Sequence, residues 1–303
     1  MEFLKRLFQS PPPVPTGLTR NGPAKFLSPE QVTAYDNDGI VFPIDVLTPD
    51  EAADYRARLE ALEAGHGNMK FAMKPYLTLT LADELAHAPR LLNAVEDLIG
   101  PNLLLWDGAF INKEPKTKNF VSWHQDLTYW GVGPAEQIDS IWLALSPVMV
   151  ENGCMKVVPG SHRDGILPHA DRFHDDNVLS RGQELVDDFD KDAAVDVILK
   201  SGQMSLHHGH VIHGSNPNHS DQRRIGLSLQ FIAPSVRQSE MKNDSAMLMR
   251  GQDSFRHFIP EPRPIIDFAM ESVAFAADIG ARRQEMLFRG ADKEKQRRYG
   301  SAV

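Results

Sequence analysis

Cysteine is nearly absent from this chain of 303 residues: Cys154 is the only one. A lone thiol excludes an intrachain disulfide framework and any cysteine-rich zinc module, and it fits a reducing compartment. Cationic charge is also short, with 32 Lys and Arg against 41 Asp and Glu and a formal net charge of −9. That balance disfavours a phosphate backbone or an anionic bilayer, so neither nucleic acid nor membrane is an expected partner. Long hydrophobic runs are missing too. Stretches such as Ile138 to Val150 are broken by polar residues and are too short to span a bilayer. Near the start, Pro11-Pro12-Pro13-Val14-Pro15 stands where a secretory signal would have an apolar core, so the cytoplasm is the expected location. No G-x-G-x-x-G follows a strand-like run, which argues against a dinucleotide-binding fold. No protein partner is inferable.

What is present reads as a short helical region followed by a β-rich one. Residues 1–27 are expected to form a flexible, proline-rich leader, and residues 28–303 a single domain. Ser28-Pro29-Glu30-Gln31 and Thr48-Pro49-Asp50-Glu51 each combine an N-cap, a proline at the first helical position and acidic or amide residues in the first turn. They predict helices ending near Gly39 and near Gly65, with a short strand at Ile40–Phe42 between them. A third helix is expected from about Asp83 to Leu98, closed by Gly100-Pro101. Beyond it, runs at 103–111, 120–126, 138–148, 155–158, 195–199, 203–208 and 225–232 read as strands, which suggests a mainly β jelly roll with flanking α-helices. The polar, acidic stretch 163–192 interrupts the strands as an exposed insertion or lid. Residues 234–264 read as loop, and Ile265 to about Arg289 as a helix.

Chemistry concentrates in histidine and aspartate. His-x-Asp places an imidazole and a carboxylate on one face of a strand, and the pattern occurs at His124–Asp126, His162–Asp164, His174–Asp176 and His219–Asp221. Only the first lies in an apolar, alternating segment, Phe120 to Leu127; the others fall in turns or in the acidic insertion. Two imidazoles and one carboxylate on one side of a metal make a site with open coordination positions. A second imidazole must then come from a facing strand, and Leu206 to Ser215 offers His207, His208, His210 and His213; spacing alone leaves the choice open. An arginine pair, Arg223-Arg224, opens the next strand. A guanidinium there suits the far carboxylate of a metal-chelating dicarboxylate, with Ser215 as an added donor.

Three blocks in order resemble the phytanoyl-CoA dioxygenase family of Fe(II)/2-oxoglutarate-dependent oxygenases. They are Trp123-His124-Gln125-Asp126-Leu127-Thr128-Tyr129-Trp130, Glu151-Asn152-Gly153-Cys154-Met155 through Val158-Pro159-Gly160-Ser161-His162, and His213-Gly214-Ser215 with Arg224 eleven residues after His213. The resemblance implies a double-stranded β-helix of the cupin kind. It implies His124, Asp126 and His213 as catalytic iron ligands, and Arg224 on 2-oxoglutarate with Ser215 beside it. Asn112, and less directly Ser140, take co-substrate positions, and His162 becomes a structural histidine. Relatives that halogenate have Ala or Gly at the carboxylate position, so with Asp126 the resemblance implies hydroxylation of an aliphatic C–H in a small organic metabolite, or a related oxidation such as desaturation, and not chlorination, with O₂ consumed and succinate and CO₂ released. Tyr129 and Trp130 are candidate substrate contacts, as is Arg237. The alternatives are a jelly-roll metalloenzyme that does not use 2-oxoglutarate and a non-catalytic small-molecule-binding relative. All of this requires the rings of His124 and His213 to lie within about a dozen ångströms of each other, given a metal–nitrogen bond of roughly 2 Å.

Overall fold

The computed structural model describes residues 24–69, 73–179, 181–186 and 188–289. Both predicted capping boxes form. Ser28 Oγ accepts from Gln31 N and opens α1 (Pro29–Asp38), which Gly39 closes in the left-handed conformation. After β1 (Ile40–Asp45), Thr48 caps α2 (Pro49–His66) in the same way. The third predicted helix is instead two, α3 (Thr80–Ala86) and α4 (Pro89–Ile99). Apolar periodicity runs through both, but Pro89 has no N–H to continue the ladder and starts a new helix at its first turn. Of the expected leader, residues 1–23 lie outside the described residues. The backbone N–H groups of Lys25, Phe26 and Leu27 all donate to the Asp97 carboxylate, which fastens this segment to α4.

The strands follow as β2 (Leu103–Phe110), β3 (Val121–His124), β4 (Val132–Gly133), β5 (Ile138–Ala144) and β6 (Met155–Val158). Next come β7 (His169–Asp171), β8 (Gln183–Leu185), β9 (Val195–Val197), β10 (Gln203–His208), β11 (Ile212–Ser215) and β12 (Gly226–Ile232). Then β13 (Arg237–Gln238), β14 (Ser245–Arg250) and β15 (Ile259–Pro260) precede α5 (Met270–Leu287). The segment 234–264, expected as loop, therefore contributes a full strand, β14, to the main sheet.

Seven strands in the order β1-β10-β5-β12-β2-β14-β15 make the main sheet, and β3-β11-β6-β9 make the second. Ile40, Trp142 and Ala144 from the first pack with Val157 and Val197 from the second and with Val211 just before β11, so one buried cluster bridges the two. A larger cluster joins the other face of the main sheet to the helices, through Leu105, Phe110, Leu143 and Leu229 against Leu85, Leu91 and Leu98. This is a mainly β jelly roll with helices on its outer face. The expected lid, 163–192, carries the β7–β8 hairpin and packs over the ligand strand: Ser122 Oγ accepts from Asn177 Nδ2 at 2.8 Å, and Phe120 O accepts from Val178 N at 2.9 Å.

Candidate metal centre

His124 and His213 are directly paired residues on the antiparallel strands β3 and β11. Their ring centroids are 4.2 Å apart, well inside the limit set by sequence. Asp126 lies just beyond β3, at the first residue of a 3-10 turn and not on the strand as expected. The turn still brings its Oδ1 to 3.3 Å from His124 Nε2 and 3.5 Å from His213 Nε2. One ligand atom from each of these residues falls within 4.8 Å of the others. Among the described residues none of the other three His-x-Asp pairs joins such a group.

Backbone carbonyls settle the tautomers. His124 Nδ1 lies 2.9 Å from Ser122 O, and His213 Nδ1 lies 3.0 Å from Val211 O. A carbonyl only accepts, so each Nδ1 carries a proton, and each Nε2 is the ring atom turned toward Asp126. Burial, with His124 beside it, pushes His213 down to about 3, so its imidazole is neutral at neutral pH. Burial opposes a charge on Asp126, but the imidazoles of His213, His124 and His207 around it hold its carboxyl well below the usual range. Its second oxygen, Oδ2, accepts from Ser140 Oγ at 3.0 Å and faces His207 Nε2 at 3.3 Å. Two imidazole nitrogens and one carboxylate oxygen are the donor set that suits Fe(II) with open positions, so the residues fit that metal.

A cavity of about 280 Å³ opens from this triad between the sheets. At one side of it Arg224 is 2% exposed and carries its guanidinium over the Trp142 indole, 5.0 Å from the ring centroid. Gly226 makes that stacking possible, because a Cβ there would stand 2.0 Å from Trp142 Cζ2. Arg224 donates through Nη1 to Gly153 O and through Nη2 to Ile111 O at 3.1 Å, while its buried Nε has no partner. Burial lowers its pKa to about 10, which leaves it charged at neutral pH. Ser215 lines the same side, its Oγ accepting from the buried Lys113 ammonium at 2.7 Å. An orphaned donor on a buried guanidinium beside a hydroxyl fits a bound carboxylate.

The other expected site residues distribute unevenly. Trp130 lines the cavity. Tyr129 does not: its hydroxyl donates to Asp171 at 3.1 Å and Arg181 lies over its ring, so it holds the insertion. Asn112 is fully buried but accepts from Gly226 N and lies off the cavity wall. Strand parity explains this, since Asp107, Ala109 and Ile111 face the cavity and Phe110 faces the helical core. Ser140 Oγ donates to Asp126 Oδ2, beside the ligand triad. Arg237 is exposed. Residues that sequence reasoning missed are Lys113, Trp142, Gly153 and, at the far wall, Asp107 and Gln230. Lys113 reaches the site through Ser215, whose hydroxyl it donates to, and shares the strand parity of Ile111.

A jelly roll with two histidines and an aspartate converging beside a buried arginine defines the class of mononuclear Fe(II)- and 2-oxoglutarate-dependent oxygenases. Residues 35–226 match the family described as Phytanoyl-CoA dioxygenase (PhyH), and the chain belongs to that family. It is 29% identical over 160 residues to the peroxisomal phytanoyl-CoA dioxygenase of Homo sapiens, covering 52% of this chain and 47% of that protein. The chain thus spans about half the length of the curated relatives it matches. The solved non-heme monooxygenase ThoJ, in its apo form, shares 34% identity with a TM-score of 0.76, over 86% of this chain and 98% of that one. The non-heme alpha ketoglutarate dependent epimerase SnoN from nogalamycin biosynthesis shares 26% identity with a TM-score of 0.56, over 69% and 82%. Among the described residues no helix is long and apolar enough to cross a membrane.

Proposed function

We propose that this protein hydroxylates an aliphatic C–H bond of a small organic molecule, with His124, Asp126 and His213 holding Fe(II) and Arg224 and Ser215 holding 2-oxoglutarate. The observation that carries this reading is the convergence of the three ligand atoms within 4.8 Å on a cavity that also contains a buried guanidinium with an unpartnered Nε. When bound, iron and 2-oxoglutarate together supply an oxidant derived from O₂, with succinate and CO₂ as co-products. The protein's own part is placement. Ser122 O and Val211 O fix the two imidazole rings, Ser140 and His207 fix the carboxylate, and Trp142 holds the guanidinium level. The sheets line the cavity, and the insertion adds Val178 and Leu179 to its wall. Asp126 occupies the position that halide-transferring relatives leave open, which favours hydroxylation. A cytoplasmic location belongs to the same proposal and rests on the lone cysteine.

Anaerobic titration with Fe(II) and then 2-oxoglutarate is expected to produce a weak visible charge-transfer band. Arg224→Ala is expected to raise the 2-oxoglutarate concentration needed for that band at least about tenfold, with Fe(II) binding retained. An unchanged requirement would support a metalloenzyme that does not use 2-oxoglutarate, and absence of any Fe(II) uptake would sink the oxygenase reading. Product analysis under O₂ separates hydroxylation from the epimerisation carried out by SnoN.

A further inference from the structure

The end of the cavity away from Arg224 is built from one cross-strand row of the main sheet. Asp107 on β2 pairs with Gln230 on β12, Gln230 with Ser140 on β5, and Ser140 with His207 on β10. Ser140 and His207 meet the Asp126 carboxylate, so the row begins at the metal ligand and ends at Asp107. Two strand spacings separate Ser140 from Asp107, about 10 Å. Asp107, Gln230 and Trp130 all line the cavity.

Behind Asp107 lies a buried ionic cluster with no other outlet. Arg283, on α5, ion-pairs with Asp107 Oδ2 at 2.7 Å and with Asp244 Oδ1 at 3.0 Å, and its guanidinium stacks on Trp106, 4.2 Å from the ring centroid. Lys74 pairs with Glu261 and donates to Ser245 O at 2.9 Å. Asp244 also accepts from Trp106 Nε1 at 2.6 Å. Three carboxylates thus face two cations. The side chains of Arg283, Asp244, Lys74 and Glu261 are at most 2% exposed, while that of Asp107 is 24% exposed. Of the three carboxylates only Asp107 borders the cavity, its Oδ2 paired with Arg283 and its Oδ1 accepting from Gly108 N at 2.8 Å, so the cluster's excess carboxylate is presented there. Gln230 donates its amide to Ser228 Oγ at 2.8 Å, and its carbonyl oxygen has no partner among the described residues. Trp130, packed 5.3 Å from Trp106, adds an indole at the same wall. A carboxylate, a free acceptor and an indole face make a wall for a cation that also donates hydrogen bonds. Among the described residues lining the cavity, the one arginine or lysine is Arg224 at the opposite side, and the histidines of the lining cluster at Asp126.

We propose that Asp107, Gln230 and Trp130 form a subsite for a protonated amine, and that the oxidised substrate carries such a nitrogen about 10 Å from the end of the row that meets Asp126. The proposal rests on the oxygenase reading for which carbon is oxidised, but the subsite itself is testable apart from it. The full chain, loaded anaerobically with Fe(II) and 2-oxoglutarate, is titrated calorimetrically with hexylammonium, 1-hexanol and hexanoate. Hexylammonium is expected to bind at least about tenfold more tightly than 1-hexanol, with hexanoate weakest. Asp107→Asn is expected to bring hexylammonium down to the level of 1-hexanol while the visible band of the iron chelate persists. Trp130→Leu is expected to weaken hexylammonium more than 1-hexanol. Equal affinities, or a preference for hexanoate, in the unmodified protein would overturn the subsite whether or not the variants fold. Ammonium selectivity without any iron chelate band would sink the oxygenase reading and leave the subsite standing; the band without selectivity would do the reverse.

Discussion

Asp126 divides its work between two oxygens. Oδ1 faces the two imidazoles, whereas Oδ2 is held by the Ser140 hydroxyl and by His207. Both groups come from the main sheet, so the sheet opposite the histidine strands orients the carboxylate. An oxygen that is already hydrogen-bonded is a poorer metal ligand, which biases Asp126 toward binding through Oδ1 alone. Ser140→Ala removes one of those bonds and little volume. Loss of an outer contact to a metal ligand typically costs about 10- to 100-fold in metal affinity. Ser140→Ala is therefore expected to weaken Fe(II) binding by roughly that factor, measured by anaerobic titration, with the circular dichroism spectrum unchanged. Affinity within a factor of about two of the unmodified protein would mean that Oδ2 needs no holding.

At the scale of elements, the insertion is a wall as well as a cover. Val178 and Leu179 line the cavity, and Arg181 bolts the segment down. Its guanidinium pairs with Asp171, donates to Leu287 O at the end of α5 at 2.8 Å, and lies 4.6 Å from the Tyr129 ring centroid. One side chain thus joins the insertion, the residues after the ligand strand and the last helix. Arg181→Ala is expected to increase limited-proteolysis cleavage within 163–192 several-fold, while the Fe(II)–2-oxoglutarate band survives because neither metal nor co-substrate residues are touched. Cleavage at the original rate would show that the insertion is held without Arg181, by the remaining bonds from Tyr129, Asn177 and the backbone.

Elements governed by local rules were legible in the sequence, and those governed by pairing were not. Ser28 and Thr48 cap the helices they announce because the capping box needs only four neighbouring residues. The split between α3 and α4 was written in Pro89 but masked by an apolar period that continues across it. β14, Ser-Ala-Met-Leu-Met-Arg, has no alternation to mark it and becomes a strand by pairing with β2. The same division runs through the site. His124 and Asp126 stood out by type and context, whereas His213, among four neighbouring histidines, and Arg224 of its pair were singled out by the family resemblance. Asp107, Trp142 and Gln230 line the cavity only because strand parity and register turn them inward, while Asn112, put forward by resemblance, points off the cavity wall.

At the scale of the whole molecule, the histidines set a limit on acid tolerance. His208 is buried against His162 and His210, with ring centroids 5.3 and 5.2 Å away. Its Nδ1 accepts from His210 N at 3.1 Å, a bond that only the neutral ring can make. Burial, with those neighbours and His207 adding to it, pushes its pKa down to about 3. In the unfolded chain the same group titrates near 6.5. Above that value both states hold it neutral, and it gives stability no pH dependence. Below it, the unfolded chain takes up a proton that the folded protein refuses, so stability falls as pH drops toward about 3 and levels off beneath that. Between pH 7 and pH 5 this one group accounts for a loss of about 2 kcal/mol. His208→Gln has no such proton to refuse. Urea unfolding of the metal-free protein is therefore expected to show the unmodified chain losing about 2 kcal/mol more than the variant over that interval, whatever their relative stabilities at pH 7. Parallel losses in the two proteins would mean that the folded state accommodates a charged ring at His208, and that its packing against His162 and His210 loosens before the fold does.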